Sequence, residues 1–126
     1  GGDYTFIGNQ YHLMAGSRDL YIDLLLFHRR LRSLIAIELK IGEFEAEYAG
    51  KMQLYLTTLD EQVKLPDENP SIGIIICKSK DKTYVEYALK NINAPIGVAT
   101  YQLRNTLLEE MKAINVVKAG GDCKEI

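Results

Sequence analysis

Two apolar stretches, Asp19 to Phe27 (DLYIDLLLF) and Leu31 to Lys40 (LRSLIAIELK), stand on either side of the charged tripeptide His28-Arg29-Arg30. Each has strand length and is rich in residues that favour a pleated, half-buried surface, so together they predict a β-hairpin with a charged tip. What interrupts the apolar pattern matters most: Asp23 in the first run, and Glu38-Leu39-Lys40 at the end of the second. Side chains two apart on a strand share a face, so Glu38 and Lys40 project together while Leu39 enters the opposite side. A symmetric turn at Arg29-Arg30 sets Asp23 opposite position 36, making Asp23 and Glu38 diagonal neighbours on one surface.

Two carboxylates and a lysine on one sheet face are costly unless compensated, because like charges repel and partial burial strips their water. A divalent cation resolves that conflict. Mg²⁺ prefers hard oxygen ligands, keeps several waters and commonly takes one or two protein carboxylates beside a substrate phosphate. Asp23, Glu38 and the Leu39 carbonyl form such a candidate set, and Mn²⁺ suits it as well. The cation would acidify a bound water, with Lys40 positioning that water or stabilising transition-state charge. A strand-end Glu-x-Lys also occurs as a solvated ion pair, and spacing alone does not separate the two readings.

The remaining chain predicts alternation of strands and helices. Tyr4 to Leu13 reads as a strand bent at Gly8, followed by a turn over 14–18. After Gly42, Glu43 to about Asp60 takes helical spacing, with Ala49, Met52, Leu56 and Leu59 on one buried stripe and Glu43, Glu45 and Glu47 at its positive end. Lys64 to Pro70 is a loop by its two prolines, and Ser71 to Cys77 (SIGIIIC) a central strand buried on both faces. Lys82 to Lys90 carries both strand and helix signals, the helix stripe being the better match. Ile96 to Tyr101 predicts a last strand, and Asn105 to Ala113 a terminal helix capped by Asn105, ahead of a loose tail from 118 to 126. Strands interleaved with helices imply an α/β fold with a mixed sheet.

With 126 residues and 47% apolar content, the chain suits a single domain over 1–126. Its formal net charge of −2 excludes a global basic field, so any affinity for nucleic acid is local. Cys77 and Cys123 form no metal-ligand or disulfide pattern, which points to a reducing, cytoplasmic setting. No apolar run reaches the ~20 residues of a membrane span. The start at Gly1-Gly2, without Met, is expected of a fragment of a longer protein.

The stretch Asp19 to Leu56, with Asn69 to Gly73, Val85 to Leu89 and Pro95 to Val98, closely resembles the YhcG-like family of bacterial proteins in the PD-(D/E)XK nuclease superfamily. The resemblance implies a restriction-endonuclease-like core, a mixed central sheet flanked by helices, and a metal-dependent deoxyribonuclease. Asp23 matches the motif's Asp, and Glu38 and Lys40 its acid and lysine. Related nucleases often carry Gln-x-x-x-Tyr on the following helix. Lys51 and Tyr55 keep that spacing with Lys in place of Gln, and Tyr48 lies on the same face. Lys51 and Tyr55 are candidate nucleic-acid contacts, or else a solvated lysine beside a half-packed ring. Gln10 on the first strand, and Arg29 and Arg30 at the hairpin tip with Arg32 beside them, are further candidates. Glutamines on strands and charges on tips are also ordinary surface features.

His12 and His28 lack partners at zinc-ligand spacing, and Ser33 lacks a His-acid pair. The resemblance further implies an upstream nucleic-acid-binding domain, DNA as partner, and a homodimer as one route to cutting both strands. A catalytically inactive nucleic-acid-binding or assembly module on the same fold is the competing expectation, against which the intact acid and lysine set counts.

Overall fold

In the computed structural model, residues 2–101 are described. They form β1 (Tyr4–Ala15), β2 (Arg18–His28), β3 (Ser33–Leu39), α1 (Ala46–Gln62), β4 (Ile72–Cys77), α2 (Lys82–Leu89) and β5 (Ile96–Thr100). The expected helix over Asn105–Ala113, the tail from 118 and Cys123 lie outside the described residues. The strands make one sheet in the order β1-β2-β3-β4-β5. Pairing is antiparallel from β1 to β3 and parallel from β3 to β5. This is the mixed α/β sheet with flanking helices of a restriction-endonuclease-like core.

The parallel half follows from the crossovers, because adjacent parallel strands must be joined by a long connection such as α1 or α2. Both helices pack apolar residues against the same cluster. Ala49, Met52, Tyr55, Leu56 and Leu59 of α1 join Ile22, Leu25, Leu34, Ala36, Ile75 and Cys77 of the sheet, with Val85, Ala88 and Leu89 of α2 at the margin. Ile35, Ile37 and Ile76 form a second cluster on the opposite sheet face. The apolar run of β4 is thus explained by burial on both sides. At Gly73 a Cβ would lie 2.5 Å from Cγ of Met52, so the absence of a side chain there lets α1 sit close on β4.

Three boundaries differ most from the sequence reading. The turn expected over 14–18 shrinks to Gly16 and Ser17, because β1 runs on to Ala15 and β2 begins at Arg18, with Gly16 supplying a left-handed φ of 63°. The hairpin turn occupies four residues, Arg29 to Arg32, since His28 pairs with Ser33. Arg32 takes a left-handed φ of 52°, which closes the loop in a way that no glycine announces. The register therefore sets Leu24 against Ile37, two residues beyond the symmetric turn, so that Asp23 comes level with Glu38 instead of diagonal to it. A shift of two preserves the faces, which is why the shared surface survives the error. Helix α1 starts at Ala46 and not at Glu43, because Glu43 bridges to Ser79 and the Phe44 amide donates to the Ser79 carbonyl.

Candidate active site

The carboxylate pair sits where the sheet forks. Ladder pairing between β2 and β3 ends at Leu24–Ile37, while β2 continues against β1 and β3 continues against β4 as far as Leu39–Ile76. The backbone groups released at the fork are taken up by the acids themselves. The Asp23 amide donates to Oε2 of Glu38 at 2.8 Å, and the Leu39 amide donates to Oδ2 of Asp23 at 2.9 Å. The other Asp23 oxygen, Oδ1, accepts from Nε2 of Gln10 at 3.0 Å. Gln10 holds a left-handed φ of 45° in mid-strand, a conformation that costs a non-glycine residue energy and is typically retained where a side chain must be aimed.

Glu38 continues the Leu34–Ala36 side of β3 and so faces α1, where it is 6% exposed. Burial raises its carboxyl above the ordinary value; the Asp23 amide and the Lys40 and Lys51 ammoniums pull it back, while the Asp23 charge adds to the rise. Oε1 of Glu38 makes no hydrogen bond among the described residues. Tyr55 is 2% exposed, with its hydroxyl raised first by burial and then by the Glu38 charge, and lowered by the nearby Lys51 ammonium. The ring therefore has no open face for a base, and Tyr55 meets the site through Lys51 and Glu38. Lys51 itself is exposed, with Nζ 5.8 Å from the Tyr55 ring centre. Lys40 is half-buried, and its Nζ lies 4.6 Å from the centre of the Tyr48 ring.

The structure thus brings together Gln10, Asp23, Glu38, Leu39, Lys40, Lys51 and Tyr55. It does not bring Arg29 and Arg30 to them. The hairpin tip lies at the other end of β3, five residues from Glu38, or roughly 17 Å. Arg30 is paired with Asp3 at 2.9 Å, and Arg32 with the carboxylate and carbonyl of Asp67. The basic tip is largely engaged in tying loops down. His12 pairs with Asp19, and His28 accepts from the Leu31 amide, so neither histidine reaches the acids. The contact of Tyr48 with Lys40 is the feature that spacing missed, because Gly42 breaks the periodicity between them.

As a donor set, Asp23, Glu38 and Leu39 offer hard oxygens in numbers that suit Mg²⁺, which leaves most of its positions to water and phosphate. Among the described residues no group of three His, Cys, Asp or Glu side chains gathers to hold a metal.

A five-stranded mixed sheet whose acids and lysine converge at the fork of its hairpin defines a PD-(D/E)XK nuclease domain. The chain matches the family described as "YhcG PDDEXK nuclease domain" over residues 1–114, and it belongs to that family. It is 38% identical over 104 residues to a protein of Escherichia coli (strain K12) named "Putative nuclease YhcG", covering 82% of this chain and 28% of that relative. The chain thus spans under a third of the relative's length. No solved structure matches it. No helix among the described residues is long and apolar enough to cross a membrane.

Proposed function

We propose that this domain hydrolyses DNA phosphodiester bonds, with Asp23, Glu38 and Lys40 as catalytic residues and a divalent cation, Mg²⁺ or Mn²⁺, as cofactor. The observation that carries the reading is the pair of hydrogen bonds at the fork, from the Asp23 amide to Glu38 and from the Leu39 amide to Asp23, which fixes two carboxylates side by side and, among the described residues, leaves Oε1 of Glu38 uncommitted. Asp23, Glu38 and the Leu39 carbonyl would hold the cation, whose chemistry is to acidify water and neutralise phosphate charge. The protein's own groups do the rest. Gln10 and the Leu39 amide orient Asp23, burial against α1 fixes Glu38, and Lys40 offers a positive charge to the phosphate as charge builds on it. Lys51, exposed beside Glu38, contacts an adjacent phosphate, and Tyr55 braces it.

Because the attacking group in this reading is a metal-activated water, the reaction needs no ribose 2′-hydroxyl, and DNA is a chemically sufficient substrate. We further propose that the domain acts in the cytoplasm within a longer protein whose upstream region supplies most of the DNA affinity, and that pairing of two copies provides for cutting both strands. Arg29 and Arg30, remote from the acids, then serve at most a distal stretch of backbone.

The test is cleavage of duplex, branched and single-stranded DNA with Mg²⁺, Mn²⁺ or EDTA, for the wild type and for Asp23→Asn and Glu38→Gln. Cleavage confined to the metal-containing wild type is expected. Full activity in EDTA would sink the mechanism, and a folded wild type that binds DNA and metal but never cuts would favour the inactive binding module.

A further inference from the structure

Lys40 follows Glu38 by two residues and is close enough for its charge to lower the Glu38 carboxyl, yet among the described residues Lys40 forms no salt bridge. Its ammonium rests instead on the face of Tyr48. An aromatic face attracts a cation through its quadrupole without carrying a charge of its own, so the lysine is held and its charge is not cancelled. The ring is in turn fixed edge-to-face by Phe44 at 6.1 Å, and Phe44 is 2% exposed. Tyr84 of α2 meets Phe44 at 5.9 Å, and its hydroxyl accepts from the Ala46 amide at the start of α1. Phe44, held in turn by Tyr84 of α2, thus settles where this ring stands.

We infer that Tyr48 is a positioning residue that keeps the Lys40 ammonium off the Glu38 carboxylate, leaving the carboxylate open to a cation and the lysine to the substrate phosphate. The inference rests on the proposed roles of Glu38 and Lys40 and adds a residue to them. Without the ring, Lys40 has one obvious alternative host, the half-compensated acid two positions back on the same face. An ion pair there would place the ammonium in competition with the cation for Glu38 and remove both from use.

The experiment compares Tyr48→Phe and Tyr48→Leu in the 126-residue chain. Shielding of the Lys40 ε-methylene protons by the aromatic ring, read by NMR without metal, is expected in the wild type and in Tyr48→Phe and absent in Tyr48→Leu. Mn²⁺ affinity by calorimetry is expected to be unchanged in the Phe variant and weaker by roughly tenfold in the Leu variant, the scale of a desolvated cation–π contact. Adding Lys40→Met to Tyr48→Leu removes the competitor and is expected to restore Mn²⁺ binding. If the Leu variant fails to fold, Tyr48→Met takes its place, since its thioether packs on Phe44 without a ring.

Unshielded Lys40 in the wild type, or Mn²⁺ affinity lost in Tyr48→Leu and not recovered in the double variant, overturns the inference while leaving the nuclease reading intact. A wild type with shielded Lys40 that neither binds Mn²⁺ nor cuts DNA overturns the nuclease reading, and with it the purpose assigned to Tyr48.

Discussion

Glu38 carries opposing demands. A buried acid is unwelcome in a fold, whereas an anionic one is needed to hold a cation, and burial has raised its carboxyl above its ordinary value. A carboxyl raised on folding binds its proton more tightly in the folded state. Stability without metal therefore falls as pH climbs from the unfolded carboxylate value through the raised one, and the full penalty stands above the raised value. Glu38→Gln keeps an oxygen to accept from the Asp23 amide and removes the charge. Thermal unfolding in EDTA should show the variant melting above the wild type at pH 7, with the difference vanishing below the ordinary carboxylate range. Lys40 makes the complementary case. Its proposed contribution is to the transition state, so Lys40→Ala should lower the single-turnover rate by ~10²-fold or more while changing DNA affinity far less. An unchanged rate with weaker binding would make it a simple phosphate anchor.

Elements set the precision of these placements. The hairpin was legible because apolar runs of strand length flanked a charged tip, and the shared face of Asp23 and Glu38 because strand period is two. The register was not, since the four-residue turn depends on a left-handed Arg32 that composition does not signal. Nor was the start of α1, which is decided by Glu43 and Phe44 bonding to Ser79, a contact across distant sequence. The stripe Ala49, Met52, Leu56 and Leu59 was read correctly and is buried, but Tyr55 joins it, which periodicity alone had left half-packed. Close seating of that stripe depends on Gly73. Gly73→Ala would drive a methyl group into Met52, and overpacking of this kind costs about 1–3 kcal/mol. Urea denaturation should show the loss, with a parallel drop in activity if α1 withdraws from Glu38.

For the molecule as a whole, charge decides how DNA is held. Fifteen Lys and Arg against seventeen Asp and Glu give no net positive charge, and Arg30 and Arg32 are already paired with Asp3 and Asp67. Few phosphates are neutralised by such a domain, and binding strength tracks the counterions released. A salt titration should therefore give weak DNA binding with a shallow slope for this chain, and tighter binding with a steeper slope for the full-length protein. Equal affinities and slopes would show the domain to be self-sufficient.

The fork in the sheet also bears on how the chain reaches its folded state. Gln10 and Asp23 are 13 residues apart, and Asp23 and the Glu38 carboxylate 15, so the acids are joined by short loops of a simple meander. Pairing of Ile35 with Ile72 must instead close a far longer loop through α1. Closure entropy grows with loop length, and non-local strand pairing is the slow part of such folds. The meander is thus expected to draw the acids together while they are still wet, and the desolvation of Glu38 is deferred until the crossover helix arrives to cover it.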